Sequence, residues 1–283
     1  MTSRDIAPAK LNLALHVRGR RPDGRHSIET IFAFCTDGDR LSGEEAGSLS
    51  LTVTGPFAED LEVEADNLAL NAARALAEAA GVKDGAALTL DKRLPVASGI
   101  GGGSSDAAAA LRLLAKLNGL APDDARLADA ALAVGADVPV CLDPRARIMR
   151  GIGEILTDPL DLPRLTAVLV NPGVATATRD VFAHFAAMPQ HGAPLSDPPR
   201  AGMVEFLRAH GNDLTPAALA CAPVIGEVLD TLASEPEVLL ARMSGSGSTC
   251  FAICAGDIEA EGLAERLRTL RPGWWIQRCR LGA

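Results

Sequence analysis

The segment with the clearest chemical potential in this 283-residue chain is a glycine-rich loop that leads into a helix-like stretch. The loop covers residues 94–106 and reads Leu-Pro-Val-Ala-Ser-Gly-Ile-Gly-Gly-Gly-Ser-Ser-Asp. Glycines let the backbone approach a ligand, and the free N–H groups at a helix start favour an anion. We therefore interpret residues 94–106 as a phosphate site, although glycine-rich turns also serve as plain connectors.

Spacing excludes two well-known nucleotide-binding loops. A Walker loop needs Gly-Lys-Ser or Gly-Lys-Thr five residues after its first glycine, and this loop contains no lysine. A dinucleotide fingerprint that starts at Gly99 needs its third glycine at position 104, where the chain has Ser104. The spacing therefore argues against a nicotinamide-dependent oxidoreductase.

A second loop, residues 243–249, is also rich in glycine and serine and lies between two strand-like runs. Such a hairpin turn suits close approach either to a ligand or to the first loop. An ordinary flexible hairpin is the alternative interpretation.

Two charged residues complete the candidate groups. Lys10 lies in an otherwise apolar stretch, so its ammonium must reach solvent or find a carboxylate or phosphate. Asp137 follows a predicted helix end and precedes a stretch that Pro139 should keep extended. A lone aspartate there usually bonds its own turn, but beside Lys10 it is also a candidate partner for that ammonium.

The elements that must position these groups are strands and helices in mixed order. Alternating or β-branched residues predict strands at 6–18, 27–34, 49–54, 87–91 and 165–171. Ala- and Leu-rich stretches predict helices after Asp66 to about 80, at 104–118 and at 122–134. A hairpin at 147–156, helices at 201–209 and 215–234, and a strand–helix–strand unit at 238–280 follow. Residues 189–199 contain four prolines and are the expected linker or mobile loop.

Bulk composition limits the partners. A net charge of −9 with dispersed Lys and Arg residues argues against nucleic-acid binding. No apolar run reaches the roughly 20 residues of a membrane span, and no export leader is visible. The six cysteines are scattered, which is typical of reduced thiols. We expect a cytoplasmic protein with small-molecule partners and no membrane partner.

Taken together, the motifs resemble the GHMP superfamily of small-molecule kinases. The glycine loop carries the superfamily resemblance, with Gly135–Pro139 and residues 244–247, whereas residues 10–12 and 23–26 are similar to a kinase of the non-mevalonate isoprenoid pathway. The resemblance covers nearly the whole chain. It implies an α+β fold of two lobes, 1–160 and 161–283, with mixed sheets and the active site in the cleft between the lobes.

The activity that the resemblance implies is ATP-dependent phosphorylation of the 2-hydroxyl of a cytidylyl methylerythritol, with ATP as co-substrate and Mg²⁺ as cofactor. Asp137 would accept the proton of the attacking hydroxyl, and Lys10 would keep Asp137 ionised and stabilise the transferred group. The implied ATP-binding residues are Pro95, Gly99, Gly101, Gly102, Gly103, Ser104 and Ser105. The implied substrate-binding residues are Asn12, Arg25, His26, Thr178, Phe182 and Gly245. The Ser105 hydroxyl is expected near Mg²⁺.

Two positions depart from the family pattern. Arg25 stands where relatives commonly carry an aromatic residue, and the chain has no tyrosine. Its guanidinium is either a solvated surface charge or a group that stacks on the base or binds a phosphate, and we expect the second. Asp106 would repel ATP unless Mg²⁺ or solvent intervenes, or it simply favours the helix start.

Two other functions remain open on the sequence. A kinase of the same scaffold could act on mevalonate-type or amino-acid alcohols. A non-catalytic nucleotide- or sugar-sensing module could retain the fold. The presence of both Lys10 and Asp137 argues against the second alternative.

Overall fold

The computed structural model describes residues 2–61, 67–82, 85–185 and 194–282. The chain forms two compact units. The first unit comprises Met1–Lys10, Asp37–Val96 and Gly101–Pro144, and the second comprises Leu11–Thr36, Ala97–Ile100 and Arg145–Ala283. These units are discontinuous in the chain, whereas the predicted lobes 1–160 and 161–283 are continuous. The functional division into those lobes stays a prediction.

The first unit packs helices on a small mixed sheet. Strands β1 (Ser3–Arg20) and β2 (His26–Glu45) both begin or continue in this unit. The other elements are β3 (Ser50–Thr54), α1 (Leu68–Ala80), β4 (Ala86–Asp91), α2 (Gly102–Leu117), α3 (Ala125–Val134) and α4 (Val138–Leu142). Strand β4 pairs antiparallel with β2, Arg40 opposite Asp91, and parallel with β3. A Cβ at Gly43 would lie 2.8 Å from Leu113, so glycine lets α2 approach the sheet.

The second unit is built on antiparallel strands with helices packed against them. Its elements are β5 (Arg147–Gly151), β6 (Ile155–Leu156), β7 (Leu165–Asn171), α5 (Thr178–His184), α6 (Met203–Arg208), α7 (Thr215–Cys221), α8 (Val224–Ala233), β8 (Val238–Met243), β9 (Cys250–Cys254), α9 (Asp257–Leu270) and β10 (Trp275–Leu281). Strand β7 lies between β10 and β9, and β8 pairs with β9. The core joins β7 and β9 to α8 and α9 through Val168, Ala252, Val228 and Leu263.

Most predicted elements are confirmed, and the α+β class with them. One prediction is wrong: residues 138–142 form the short helix α4 and not an extended stretch. Pro139 is compatible with this helix because it lies in the first turn, where a backbone N–H has no intrahelical acceptor. Helix α5 was not predicted. Asp66, which precedes the first predicted helix, and residues 189–193 of the proline-rich loop lie outside the described residues.

Within the described ranges, no helix combines the length and the apolar character that crossing a membrane requires.

Candidate active site

Lys10 and Asp137 form an ion pair in the first unit. The Lys10 Nζ lies 3.1 Å from an Asp137 carboxylate oxygen. The lysine side chain is 5% exposed, whereas that of Asp137 is 48% exposed. Strand β1 supplies the lysine, and the residue just before α4 supplies the aspartate. The structure therefore brings together the two residues that were predicted to be catalytic and leaves the carboxylate open to a ligand.

The charge of Lys10 is maintained by its neighbours. Burial by itself lowers the pKa of this ammonium, but the Asp137 carboxylate and Cys141 raise the pKa above the usual value for lysine. Lys10 therefore stays protonated at neutral pH. A fixed cation beside a partly exposed carboxylate can both orient that carboxylate and stabilise developing negative charge.

The part of the glycine loop from Gly101 onward belongs to the first unit and opens helix α2 beside Lys10. Gly101 caps the helix in the left-handed conformation, with φ of 65°, and Ser105 N donates to its carbonyl. A Cβ at Gly101 would lie 3.3 Å from the Cβ and Cε atoms of Lys10. Gly103 is exposed, and Gly102 and Ser104 are half-buried, whereas Pro95 is buried. The N–H groups at the start of α2 can therefore meet an anion, as the sequence predicts.

The Ser105 side chain has a partner within the chain. It is fully buried, and its hydroxyl donates to the Pro8 carbonyl at 2.7 Å. A role beside Mg²⁺ stays a prediction for this residue.

Asp106 belongs to a buried cluster of two carboxylates and one ammonium. The Lys92 Nζ lies 2.6 Å from Asp39 and 2.7 Å from Asp106, and the three side chains are at most 4% exposed. Asp39 also accepts hydrogen bonds from the backbone N–H groups of Arg93 and Leu94, where the glycine loop begins. The Lys92 ammonium therefore compensates the negative charge of Asp106, a role for which the sequence suggested Mg²⁺ or solvent. Asp106 also lies beyond the first turn of α2, so it does not act as a helix-start charge.

The pKa of Asp106 gives a prediction about stability. Burial and the neighbouring Asp39 raise the pKa to about 7, although Lys92 opposes the shift. The unfolded chain loses this proton near pH 4, so the folded chain binds more protons between about pH 4 and pH 7. The free energy of unfolding should therefore fall as pH rises through that window. Asp106→Asn cannot titrate and should remove about 2 kcal/mol of this fall between pH 5 and 8.

Urea unfolding of both proteins across this pH range measures the difference. Asp129→Asn, at an exposed position on α3, is the matched control and should keep the wild-type slope. Parallel curves for wild type and Asp106→Asn would show that Asp106 is ionised throughout.

In the second unit, the second glycine loop packs against Ser98 and Gly99, which lie in the part of the first glycine loop that belongs to the same unit. The Ser244 hydroxyl donates to the Gly99 carbonyl at 3.0 Å, and Thr249 N donates to the Ser98 carbonyl at 3.1 Å. A Cβ at Gly99 would lie 2.5 Å from the Gly247 carbonyl oxygen, so no larger residue fits without movement. Of the interpretations that the sequence offers for this loop, close approach to the first loop is confirmed.

Asn12 and Gly245 join this contact. Asn12 N donates to the Ser244 hydroxyl, and its side-chain amide donates to Thr30. A Cβ at Gly245 would lie 2.8 Å from the Gly99 carbonyl oxygen and 3.4 Å from the Asn12 side-chain oxygen. Asn212 supports the loop from the other side by donating to the carbonyls of Met243 and Gly245. Sequence reasoning did not assign Asn212 a role.

A cavity of about 870 Å³ in the second unit contains three of the predicted substrate-binding residues. His26 and Phe182 stack on one another, with ring centroids 4.8 Å apart and planes inclined by 20°. Burial and the nearby Arg20 lower the pKa of His26, so the ring is neutral at pH 7. The cavity can therefore offer aromatic surface together with a neutral imidazole.

Arg25 lies at the same cavity and is bound to Asp23. Its Nε donates to an Asp23 carboxylate oxygen at 3.0 Å, and Nη2 lies 2.9 Å from the same oxygen. The side chain remains 64% exposed. Arg20 and Arg179 also line the cavity, and sequence reasoning had assigned neither of them. Helix α5 brings Arg179 and Phe182 to the cavity, whereas the Thr178 hydroxyl pairs with that of Ser246 at 2.9 Å.

Family models match both parts of the chain. Residues 67–143 match the GHMP kinases N terminal domain, and residues 202–271 match the GHMP kinases C terminal model. A solved structure of a homoserine kinase from Cytophaga hutchinsonii is 18% identical, with a TM-score of 0.72 over 99% of this chain and 95% of that chain. This likeness shows a shared fold.

Relatives with higher sequence identity specify the family within the GHMP kinases. A 4-diphosphocytidyl-2-C-methyl-D-erythritol kinase of Rhodopseudomonas palustris is 50% identical, covering 98% of this chain and 96% of the relative. The kinase of the same name from Azorhizobium caulinodans is 52% identical, with 96% of each chain covered. A crystal structure of a 4-(cytidine 5'-diphospho)-2C-methyl-D-erythritol kinase is 35% identical, with a TM-score of 0.82 over 99% of this chain and 100% of that chain. The chain therefore belongs to the GHMP kinases, within the family of 4-diphosphocytidyl-2-C-methyl-D-erythritol kinases.

Proposed function

We propose that this kinase transfers the γ-phosphoryl group of ATP to the 2-hydroxyl of 4-diphosphocytidyl-2-C-methyl-D-erythritol, which gives the 2-phosphate and ADP. The ion pair of Lys10 with a half-exposed Asp137, beside the start of α2, carries the proposal. The names of relatives that are about half identical in sequence support the choice of substrate.

Asp137 accepts the proton of the substrate hydroxyl as the oxygen attacks the γ-phosphorus. The bond from that phosphorus to the bridging oxygen breaks, and ADP leaves with the bonding electrons. Lys10 keeps the carboxylate in place and stabilises the charge on the transferred group. The N–H groups at the start of α2 bind the triphosphate. Phosphoryl transfer requires mainly such positioning and electrostatic stabilisation, with an aspartate to take the proton.

Mg²⁺ would accompany ATP in this proposal. The described residues contain no group of three or more His, Cys, Asp or Glu side chains that could hold a metal by itself. Magnesium is usually bound through one or two carboxylates together with substrate phosphates, so such a cluster is not required. The ion would neutralise phosphate charge when bound.

The cavity at His26 and Phe182 would hold the cytosine. Two of the Arg25 nitrogens face the Asp23 carboxylate, which partly neutralises the guanidinium and leaves its flat face available. This arrangement favours stacking on the base over binding of the diphosphate. Arg20 and Arg179, which also line the cavity, would then be available to the diphosphate.

Arg25→Ala should raise KM for the cytidylyl substrate by roughly tenfold and leave KM for ATP unchanged, because about 1–2 kcal/mol of stacking is lost. Arg25→Tyr should recover most of the loss. Steady-state kinetics measure the KM of both variants. Repeating the assays at a higher salt concentration distinguishes stacking from phosphate binding, because a phosphate contact weakens with ionic strength more than a stacked pair does. A wild-type KM for Arg25→Ala would remove Arg25 from the site.

Competition by CDP tests the proposed substrate. CDP should inhibit competitively against the cytidylyl substrate in ADP-release assays. A kinase of mevalonate or homoserine has no cytidine site, so CDP would not compete with its alcohol. Absence of inhibition at millimolar CDP would contradict the proposed substrate.

A further inference from the structure

Arg112 of α2 contacts the strand that carries Lys10 and the helix that follows Asp137. Its Nε and Nη2 face the Asp5 carboxylate at 2.9 and 3.3 Å, and Nη2 also donates to the Ile6 carbonyl at 2.9 Å. Its Nη1 donates to the Cys141 carbonyl at 2.6 Å. One guanidinium thus binds β1 and α4 at the same time.

The Arg112 contacts lie close in sequence to both members of the Lys10–Asp137 ion pair. Ile6 precedes Lys10 by four residues in β1, and Cys141 follows Asp137 by four residues, which is about one helical turn. Helix α4 has only five residues, so its own hydrogen bonds cannot fix it in place. The location of the Asp137 backbone must therefore depend on what holds the far end of α4.

Ser105 strengthens the same link from the same helix. It lies seven residues before Arg112, two helical turns away, and therefore faces the same side of α2. Its hydroxyl donates to the Pro8 carbonyl of β1, 2.7 Å away. Arginine suits the second point of attachment because its planar guanidinium presents five N–H groups in a fixed arrangement.

We propose that Arg112 is a positioning residue for phosphoryl transfer, which fixes β1 and α4 to one another and thereby sets the distance between Lys10 and Asp137. The inference rests on the proposed roles of these two residues. Arg112 touches neither substrate nor reacting atoms in this account. Its loss should therefore change kcat while KM for both substrates stays near the wild-type value.

Kinetics of Arg112→Met, alone and with Asp137→Asn, test the proposal. Arg112→Met removes the N–H donors but keeps an unbranched side chain, and it should lower kcat by roughly 10- to 100-fold, the cost of misplacing reacting groups. Arg112→Lys should lose less. In the Asp137→Asn background, Arg112→Met should lower kcat by no more than about twofold, because the misplaced group no longer acts.

Arg126→Met is the matched control, since Arg126 also pairs with an aspartate in the first unit but contacts Asp124 of its own helix start. It should leave kcat unchanged. Asp5→Asn keeps the arginine and weakens one contact, so a drop of about threefold in kcat is expected even if Arg112→Met fails to fold.

Three outcomes would overturn the proposal. The first is a wild-type kcat for both Arg112→Met and Asp5→Asn. The second is an equal loss from Arg112→Met in both backgrounds, which indicates a general structural effect. The third is a wild-type kcat for Asp137→Asn alone, which refutes the proposed catalytic pair itself and is thus distinguishable from the other two.

Discussion

Asp137→Asn should lower kcat by roughly 10²- to 10⁴-fold and leave KM for ATP nearly unchanged. The amide keeps the shape of the side chain but cannot accept the proton of the attacking hydroxyl. The substitution also removes the attraction between the Asp137 carboxylate and the Lys10 ammonium, which lie 3.1 Å apart in the wild-type protein. Initial rates of ADP release at saturating substrates measure kcat, and nucleotide titration measures KM.

The double substitution with Lys10→Ala examines whether the two residues act together. Because the ion pair acts as a unit, the double variant should lose much less than the product of the two single losses. Asp129→Asn, an exposed position of α3, should turn over at the wild-type rate. If Asp137→Asn also turns over at that rate, Asp137 is a turn residue and the proposed mechanism is wrong.

Gly101→Val should raise KM for ATP by at least about tenfold, equivalent to 1.4 kcal/mol or more of lost binding, and affect KM for the cytidylyl substrate far less. A branched side chain is strained at φ of 65° and would obstruct the approach of phosphate to the start of α2. Its Cβ would also lie 3.3 Å from Lys10 carbons, so kcat should fall as well.

Gly119→Val is the matched control for this substitution. Gly119 also has a left-handed φ, 67°, but a Cβ there would meet no atom within 4 Å. The control therefore shares the backbone strain without the contact with Lys10, and its KM for ATP should equal that of wild type. An equal rise in KM for ATP and for the cytidylyl substrate in Gly101→Val would indicate misfolding or a misplaced nucleotide site.

Local patterns predicted the parts of the site that depend on neighbouring residues in sequence. The glycine loop before α2 and the stretch that carries Lys10 follow from composition and periodicity alone. The wrong prediction at residues 138–142 arose because Pro139 favours an extended residue before it, whereas tertiary packing selected the helix that proline also permits.

Other contacts between distant segments have no local signal in the sequence. Asp39 is 53 residues from Lys92, and nothing local indicates that this aspartate would share the ammonium with Asp106. The contacts of Arg112 also have no local signal, because an arginine in an Ala- and Leu-rich helix is equally typical of a solvated surface. The partners at Asp5 and Cys141 become visible only when the three elements are placed together.

The most direct measurement is a single competition reaction. The protein, ATP and Mg²⁺ are mixed with equal concentrations of 4-diphosphocytidyl-2-C-methyl-D-erythritol, methylerythritol phosphate, mevalonate and homoserine, and the products are identified by mass spectrometry and ³¹P NMR. The account predicts one product, the cytidylyl methylerythritol with an added phosphate on its 2-hydroxyl, in amounts equal to the ADP released. Phosphorylation of any of the other three alcohols in preference to the cytidylyl compound, or phosphate at another hydroxyl, would contradict it.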